Sequence, residues 1–368
     1  MRLYIDGLFY KGSGIGRYYA SLTKELAAKG IKIYTCVPKR LKDSFESEFK
    51  KVSNNIEAIY ENYDKFSIKA FFKQSNILKK LKNNVDLYFF PHINLPNYIP
   101  QNTVVTIHDL IPLTHFWDRS EIKRRIFTFY LKRATNNSKG IITVSYAVKN
   151  DLESYFGNIG KKTRVIYEFI DDIFMNDTIL SDRIVKEDYI LFIGNRKKHK
   201  NLKNLVLAFD KIKEDIKLKL VIAGSKDKSL SEDEIDSLIN ELNLKERIIT
   251  FTSPSDEEVI NLYRYATLFV FPSLYEGFGL PPLEAISCGC PTITSNIPVL
   301  REILGNKIAC FDPYNADDIA KKIYTVIKNR DLLIEILEEG KNRLKLLDKN
   351  KIIEDYINYF LSIKQGGQ

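Results

Sequence analysis

Short apolar runs rich in β-branched residues alternate with longer amphipathic stretches along almost the whole chain. Such short runs predict buried β-strands, and the amphipathic stretches between them predict helices. The predicted strands are 3–6, 31–37, 56–60, 86–90, 103–108, 140–144, 164–167, 189–194, 218–223, 248–251, 268–271, 291–294 and 308–311, and helices are expected at 18–29, 202–213, 232–242 and 256–265. This alternation predicts an α/β protein with two doubly wound parallel sheets.

The chain of 368 residues is too long for one ordinary core. Periodicity lapses over residues 168–187, so the predicted domains are 1–170 and 187–345, each Rossmann-like. Parallel sheets bind ligands at the carboxyl ends of their strands, so a ligand crevice is expected between two domains that face each other. A last amphipathic helix, 350–363, either caps the second domain or crosses back to the first.

The composition shows a positive net charge, but this charge alone does not identify a binding partner. The formal net charge of +9 is typical of proteins that bind nucleic acid or a membrane surface, but the excess is lysine in a chain also rich in asparagine and isoleucine. Four cysteines without CxxC spacing indicate a reducing, cytoplasmic setting. No window reaches 18 uninterrupted apolar residues, and the N-terminus is better explained as a strand than as a signal peptide.

The segment EGFGLPPLE, residues 276–284, follows a predicted strand and places two glutamates beside two glycines and two prolines. Pro281 and Pro282 fit the first turn of a helix, and glycines before a helix leave N–H groups open to a phosphate. A carboxylate accepts paired hydroxyl hydrogen bonds, which suits Glu284 on a ribose and Glu276 on a hexose. Alternatively, Glu284 is only a first-turn residue favoured by the helix dipole.

A basic segment, GNRKKHKNLKNLVLAF at residues 194–209, also runs from a strand end into a helix. Gly194 allows the turn, while Arg196 offers a planar fork and Lys200 a point charge. This combination suits a diphosphate. Alternatively, the segment is an ordinary solvated basic loop.

The glycine-rich stretch from Gly12 to Arg17 follows the first predicted strand. Its spacing is GxGxG, and the next strand ends without the acidic residue that an NAD ribose needs, so a dinucleotide fingerprint is disfavoured. We expect a flexible loop whose N–H groups face the crevice.

His108 and Asp109 follow another predicted strand. They are a candidate base, a candidate hydrogen-bond donor to substrate, or a buried structural pair. His92 and His199 also lie near strand ends, and His115 is expected in a loop. No His, Cys, Asp or Glu grouping has metal-ligand spacing and no DxD triplet occurs, so neither a metal nor a cofactor is expected.

The chain resembles the retaining glycosyltransferases of family 4, which have the GT-B fold. The resemblance covers nearly the whole length and rests on five motifs in the family's order: GIGRY at 14–18, TIHDLIPL at 106–113, ITVSYAVKNDL at 142–152, G-x-R-x3-K-N-L at 194–202, and the E-x7-E of EGFGLPPLEA. It implies a nucleotide-sugar bound mainly to the second domain, an acceptor bound mainly to the first, and transfer with retention of configuration.

The resemblance also implies roles for individual residues. Arg196 and Lys200 are expected to neutralise the leaving diphosphate, and Glu284 to bind the ribose. The other implied positions are Glu276 with Phe278, Gly279 and Leu280 on the donor sugar and phosphate, His108 and Asp109 at the reacting face, Gly14, Gly16 and Arg17 across the phosphates or acceptor, Thr252 and Ser253 at the base, and Ser145 on the acceptor side of the crevice.

One segment departs from the family's pattern. Where the family commonly has an Asn-Gly pair after the domain-linking strand, this chain has VIYEFID at residues 165–171. The departure puts the local hinge conformation in doubt, and not the fold.

Residues 65–82 place Lys65, Lys69, Lys73 and Lys80 on one helical face. A basic amphipathic helix can rest on anionic lipid, which would put the protein at the inner face of the cytoplasmic membrane. The alternative is an ordinary solvated helix packed on its sheet.

The function that these features imply is transfer of a hexose from a nucleotide-sugar to a saccharide or lipid-linked oligosaccharide in cell-surface glycan synthesis. Mannose from GDP-mannose is the first expectation, and nucleic acid is not an expected partner. Two alternatives are a nucleotide-sugar epimerase of similar fold and a membrane or nucleic-acid binding module with a dead site. The intact E-x7-E motif and the Arg/Lys pair argue against the dead site.

Overall fold

The computed structural model describes residues 1–12, 14–117, 120–157, 159–175, 182–226 and 233–366. Three predicted features therefore lie partly outside the described residues: Ser13 of the glycine-rich stretch, 176–181 of the predicted boundary and Glu232 of a predicted helix.

The described strands are β1 Arg2–Asp6, β2 Lys32–Pro38, β3 Ile56–Glu61, β4 Leu87–Phe90, β5 Thr103–Ile107, β6 Gly140–Thr143, β7 Thr163–Val165, β8 Tyr189–Ile193, β9 Lys219–Ala223, β10 Ile248–Phe251, β11 Leu268–Phe271, β12 Thr292–Ser295 and β13 Ala309–Phe311. The described α-helices are α1 Gly14–Ala28, α2 Lys42–Glu48, α3 Ile68–Lys80, α4 Glu121–Asn137, α5 Tyr146–Phe156, α6 Leu202–Ile212, α7 Glu234–Glu241, α8 Asp256–Tyr265, α9 Leu280–Ser287, α10 Pro298–Leu304, α11 Ala316–Lys328, α12 Arg330–Leu346 and α13 Lys349–Lys364. Each predicted strand overlaps one of these strands.

The chain divides into two compact units. Unit 1 contains Met1–Leu113, Arg119–Glu168 and Lys349–Gln368, and unit 2 contains Thr114–Asp118 and Phe169–Asp348. The sheet of unit 1 has seven strands in the order β3-β2-β1-β4-β5-β6-β7, and the sheet of unit 2 has six in the order β10-β9-β8-β11-β12-β13. All their pairings are parallel, so the predicted pair of Rossmann-like sheets is confirmed.

In each sheet, the order in which the chain adds strands reverses at the centre. In unit 1 the chain builds β1, β2 and β3 outward on one side and then returns to place β4 against β1; unit 2 does the same with β11 against β8. The loops after two such neighbouring strands diverge, which opens a ligand crevice at the carboxyl edge. The two switch points therefore lie at the ends of β1 and β4 and at the ends of β8 and β11.

The C-terminal helix α13 packs on unit 1. Its apolar side Ile352, Ile353, Tyr356 and Phe360 is buried, as the stripe in the sequence predicts. The Phe360 ring lies 5.1 Å from Phe89 of β4. Of the two placements open from the sequence, the structure has the one in which the helix returns to the first sheet.

Gly14 to Arg17 form the first turn of α1, which corrects the flexible loop expected there. Gly16 makes this possible because a Cβ atom at that position would lie 2.4 Å from the carbonyl oxygen of Phe9. The glycine spacing thus lets the helix start directly against the preceding loop.

Gly224, at the end of β9, provides a test of the packing at the carboxyl edge of unit 2. Its φ is +145°, and a Cβ atom would lie 2.1 Å from the carbonyl oxygen of Gly194 at the end of β8. We expect Gly224→Ala to lower the free energy of unfolding by more than about 3 kcal/mol, through backbone clash and an unfavourable φ together. Gly289→Ala is the control, since Gly289 has φ +85° and nothing within 4 Å; it should cost about 1–2 kcal/mol. Equal losses in urea denaturation would contradict this account.

Candidate active site

The switch point of unit 2 brings together two residues predicted for the donor site. Lys200, in the loop after β8, donates to Glu276, in the loop after β11, with 2.6 Å between Nζ and Oε1. Both side chains are nearly buried, and the Lys200 ammonium lies 5.1 Å from the centre of the Phe271 ring. A cation and a carboxylate are thus held where parallel-sheet proteins bind ligands.

Asn201 fixes the loop that carries Lys200. It adopts a left-handed conformation, with φ 58°, which asparagine tolerates better than most residues. Its buried amide donates to the carbonyl oxygens of Pro272 at 3.0 Å and Pro313 at 2.7 Å. The loop after β8 is therefore tied to the loops after β11 and β13, which explains why Lys200 reaches Glu276.

Arg196, the other predicted cation, is held by carboxylates at the start of α7. One terminal nitrogen, Nη1, donates to Asp233 at 2.9 and 3.1 Å and to Asp236 at 2.7 Å. Within the described residues, all hydrogen bonds of the guanidinium group pass through that nitrogen. The basic segment is therefore not merely a solvated loop, because both of its predicted cations are positioned by acidic partners.

Asp236 links this arginine to a second cation. Its other carboxylate oxygen accepts from Lys226, and Asp233 also caps α7 by accepting from the backbone N–H groups of Ile235 and Asp236. Desolvation raises the pKa of Asp236, but the hydrogen bonds from Lys226 and Arg196 outweigh it and lower this pKa to about 2. The carboxylate therefore stays ionised at neutral pH.

Glu284 occupies a different environment from the one that the helix-dipole alternative requires. The helix α9 starts at Leu280 after Gly279, whose φ is +100°, and its first turn contains prolines and no acidic residue. Glu284 lies beyond that turn, is buried, and accepts a hydrogen bond from Tyr263 at 3.3 Å. Burial, followed by the charge of Glu284, raises the pKa of Tyr263 well above its usual range, so the phenol remains a donor.

The other predicted donor-site positions also lie at the carboxyl edge of the unit 2 sheet. Phe278 is buried just before the helix, and Leu280 is the first residue of α9. Thr252 and Ser253 follow β10, and Ser253 has a positive φ of 55° while its N–H donates to the oxygen of Gly224 at 3.4 Å. These positions therefore share one edge with Lys200 and Glu276.

In unit 1, His108 pairs with Glu168 rather than with its neighbour Asp109. Its Nδ1 lies 2.8 Å from Glu168 and its Nε2 lies 3.1 Å from the carbonyl oxygen of Pro91. Desolvation lowers the pKa of His108, but Glu168, the Pro91 carbonyl and the charge of Asp109 outweigh it and raise this pKa above the usual range. Both neighbours accept, so the imidazolium form satisfies both nitrogens.

Asp109 and Ser145 have local backbone partners. Asp109 accepts from the N–H of Ile111 at 3.0 Å, and the buried Ser145 caps α5 by accepting from the N–H of Val148 at 3.1 Å. Both follow strands of the unit 1 sheet, as do Gly14, Gly16 and Arg17 in the first turn of α1. Their predicted contacts with substrate stay predictions.

A buried polar cluster lies at the switch point of unit 1. His92, just after β4, lies 2.7 Å from Asp6 at the end of β1. The N–H of Asn94 donates to the other ring nitrogen, Nδ1, at 3.2 Å, so Nε2 carries the proton that Asp6 accepts. Asp6 also accepts from Tyr4 at 2.9 Å and from Gln74. The cluster joins β1, β4 and α3.

Five residues that position the candidate site had no predicted role: Glu168, Asp233, Asp236, Tyr263 and Asp6. Asn201 belongs to the predicted G-x-R-x3-K-N-L motif, but its hydrogen bonds to two other loops were not predicted. Only Glu168 carried a signal, because it lies where the chain departs from the Asn-Gly pattern. The others are distant in sequence from their partners, and no local spacing connects an arginine at 196 with carboxylates at 233 and 236.

In the parts of the chain that are described, no group of three or more His, Cys, Asp or Glu residues is arranged to hold a metal ion. Across the same residues, no helix is both long and apolar enough to traverse a bilayer.

Two sequence families match consecutive parts of the chain. Residues 12–173 match the family described as Glycosyltransferase Family 4, and residues 181–343 match Glycosyl transferases group 1. The first match covers β2 to β7, and the second covers β8 to β13.

Individual relatives are similar over most of the chain. The O-antigen chain mannosyltransferase RfbU of Salmonella typhimurium is 29% identical over 265 residues, which are 72% of this chain and 70% of that protein. The N-acetylgalactosamine-N,N'-diacetylbacillosaminyl-diphospho-undecaprenol 4-alpha-N-acetylgalactosaminyltransferase of Campylobacter jejuni is 27% identical over 297 residues, covering 77% of this chain and 79% of that one.

Among solved structures, Anabaena Alr3699/HepE in complex with UDP-glucose matches with a TM-score of 0.77 and 15% identity, over 98% of this chain and all of that chain. At this identity the likeness is one of fold, and it confirms the predicted GT-B fold class.

The pairing of His108 with Glu168 predicts a measurable titration. We expect the pKa of His108 to lie above the usual histidine value of about 6.5 and to fall in Glu168→Gln, because the amide cannot stabilise the imidazolium. Because the pKa of His108 is raised in the folded state, the stabilisation from its pairing with Glu168 is complete below about pH 6.5. It is lost as the pH rises through the folded-state pKa. Nitrogen-detected NMR of the ring follows the titration.

Glu57→Gln is the control, since this exposed residue of β3 lies in the same unit. It changes the net charge equally and should leave the His108 titration where it was. An identical shift in both variants would mean that the pairing with Glu168 is not its cause.

Proposed function

Because the chain belongs to the glycosyltransferases, with a Glycosyltransferase Family 4 region followed by a group 1 region, we propose that it transfers mannose from GDP-mannose, with retention, to a saccharide or lipid-linked acceptor. A role in cell-surface glycan synthesis is supported by the relatives that are O-antigen chain mannosyltransferases, and a lipid-linked acceptor by the relative that acts on a diphospho-undecaprenol substrate. The observation that carries the proposal is the contact of Lys200 with Glu276 at the switch point of unit 2.

The departing nucleoside diphosphate would be stabilised by fixed positive charge. Lys200 supplies a point charge, Arg196 a planar fork, and the N-terminus of α9 the positive end of its helix dipole. Such groups act most strongly when they are already in place before the reaction, because no reorganisation is then needed. The hydrogen bonds of Asn201 and of the two α7 carboxylates provide that order.

The contacts of Arg196 divide its guanidinium group between two tasks. Asp233 and Asp236 hold Nη1, while Nε and Nη2 are the edge of the fork that would donate to phosphate oxygens. The carboxylates would thus orient the arginine without occupying it completely. Lys226 keeps Asp236 ionised, which keeps the orientation intact at neutral pH.

Glu276 would exchange partners when the donor binds. In the free enzyme it accepts from Lys200. In the complex, the Lys200 ammonium would donate to phosphate oxygens, and the Glu276 carboxylate would accept from sugar hydroxyls. Each charged group is satisfied in both states, which avoids the cost of an unpaired buried charge. Glu284, already a buried acceptor beside Tyr263, would accept from the ribose hydroxyls.

Retention would follow from attack on the face that the diphosphate leaves. A retaining hydrolase places two carboxyl groups across the bond, whereas both motif glutamates here belong to one segment and are assigned to binding. The leaving phosphate would take the proton of the acceptor hydroxyl as the glycosidic bond forms. His108 and Asp109 of unit 1 are proposed to lie at the reacting face, where the imidazolium of His108 would act through its positive charge, because both of its ring nitrogens already donate to Glu168 and to the Pro91 carbonyl.

Transfer itself is tested by incubating the enzyme with GDP-mannose and polyprenyl-diphosphate-linked saccharide. We expect release of nucleoside diphosphate in equal amount to glycosylated lipid, and a loss of about 10²–10³ in kcat for Glu276→Gln. Glu257→Gln, an exposed change on α8, is the control and should keep full activity. Full activity of Glu276→Gln would remove this residue from the site, and epimerised donor without acceptor consumption would replace the proposed reaction with an isomerase.

Donor recognition is tested separately by thermal stabilisation with a panel of nucleotide-sugars. We expect GDP-mannose to stabilise the protein most, and Arg196→Lys to lose much of that shift because lysine keeps the charge but not the fork. Lys198→Gln, an exposed change in the same segment, should keep the shift. A larger shift with a different nucleotide-sugar would change the proposed donor, and an unaffected Arg196→Lys variant would exclude the diphosphate contact.

A further inference from the structure

Two helices of unit 1 carry large apolar side chains in solvent. Ile68 and Phe72 on α3, Ile122, Ile126 and Phe129 on α4, and Phe66 just before α3 are 48–79% exposed. Residues four apart share a helix face, so Ile68 lies beside Phe72, and Ile122 beside Ile126. These side chains are organised on helix faces rather than scattered singly, which distinguishes them from ordinary surface apolar residues.

The first half of α4 has no buried side chain. The helix spans 17 residues, and its buried positions are Leu131, Ala134 and Thr135, all in the second half. A surface helix normally places its apolar stripe on the core. Here Ile122, Ile126 and Phe129 are exposed instead, so they contribute little to the core of unit 1.

Arg133 connects the two helices into one surface. Its guanidinium group lies 5.2 Å from the ring of Phe71 on α3 and 5.7 Å from that of Phe129 on α4, and it donates to the carbonyl oxygen of Pro96 at 2.7 Å. The ring of Phe66 lies 6.4 Å from that of Tyr130. We call Phe66, Ile68, Phe72, Ile122, Ile126 and Phe129, with the basic residues between them, the α3–α4 surface.

The charge of these helices is almost entirely positive. The segment of α3 contains four lysines and no acidic residue, and that of α4 contains five basic residues and one acidic residue, Glu121. Lys69, Lys73, Lys123 and Arg125 are exposed beside the apolar side chains. Glu121 lies within 3.6 Å of Arg124 and 3.8 Å of Arg125, which leaves a large positive excess.

We propose that the α3–α4 surface docks on an anionic lipid bilayer, with its Ile and Phe side chains in the interfacial region and its Lys and Arg side chains on the headgroup phosphates. Apolar residues flanked by lysine and arginine are what an interfacial helix needs. A second copy of the chain fits less well, because a two-fold interface would place these positive charges opposite each other. The proposal extends the basic helix of residues 65–82 to α4, which sequence analysis did not associate with lipid.

Phe66 supplies an independent indication. It has a φ of 64°, a left-handed conformation that is unfavourable for a bulky residue, and its side chain is exposed. Such strain persists where the surroundings maintain it and is concentrated at functional positions. The strain here holds an aromatic ring in solvent at the edge of the surface, where it can enter a bilayer.

Phe66 and Lys65 also connect the surface to the loop between β1 and α1. The Phe66 ring lies 5.5 Å from that of Phe9, and the Lys65 ammonium lies 4.4 Å from the centre of the Phe9 ring and 3.5 Å from the oxygen of Gly12. The glycines assigned to substrate follow directly. This connection rests on the proposed function: docking would bring the glycine-rich turn to the plane where a lipid-linked acceptor presents its sugar.

The test is co-sedimentation of the purified full chain with vesicles of phosphatidylcholine, with and without 30% phosphatidylglycerol. We expect binding only with the anionic lipid, weakening as salt rises. Lys69→Gln with Lys73→Gln should weaken it at least about tenfold, since each basic residue contributes about 1 kcal/mol near such a surface. Ile126→Ser with Phe129→Ser should weaken it at least about tenfold by removing apolar area. Phe66→Gly should also weaken it while preserving or raising the thermal stability.

Ile334→Ser with Leu346→Ser provides the matched control, since both residues lie on α12 and are 54% and 70% exposed. This control and Glu276→Gln should bind vesicles like the wild type, which separates docking from transfer. Equal binding to neutral vesicles, no binding, or unchanged binding in the α3–α4 variants would overturn the proposal. Concentration-dependent dimerisation abolished by the same substitutions would also overturn it, and would assign the surface to a second copy.

Discussion

The parallel arrangement of the strands is the constraint on which the rest of the structure depends. Parallel neighbours require crossovers that return each strand to the same starting edge, so the carboxyl ends of all strands in a sheet lie together. The central strands are buried on both faces, and β8, β9 and β11 consist largely of side chains with no exposure. The candidate site residues therefore lie in the loops at one edge of each sheet. The reversal of strand order determines which of those loops diverge to open a crevice.

At both switch points, buried or nearly buried charged side chains have hydrogen-bond partners of opposite charge or polar character. In unit 2, Lys200 and Glu276 neutralise each other, and two carboxylates hold Arg196. In unit 1, Asp6 accepts from His92, Tyr4 and Gln74. Removing one partner from such a buried pair typically costs 3–5 kcal/mol, roughly, because the other charge is left without compensation. Partner exchange, rather than partner loss, is therefore the inexpensive route to ligand binding.

The candidate donor site in unit 2 and the α3–α4 surface in unit 1 differ in how closely they are tied to the rest of the fold. The loop of Lys200 is tied by Asn201 to the ends of two other strands, and α9 starts at a glycine that no other residue replaces easily. The α3–α4 surface has the opposite character, since the first half of α4 has no buried side chain. A tightly connected loop at the candidate donor site and an exposed apolar and basic surface would suit the proposed reaction, in which one substrate comes from water and the other is linked to a lipid.

The sequence by itself determined the two sheets, the strand positions and the motifs at their carboxyl edges. Hydrophobic periodicity reports burial directly, and Pro281 and Pro282 fix a helix start through their own backbone restrictions. Tertiary structure decided which side chains meet. His108 contacts Glu168 instead of Asp109, Arg196 meets carboxylates some forty residues away, and α13 returns to unit 1. Those pairings arise from strand order and crossover geometry, which residue spacing along the chain does not encode.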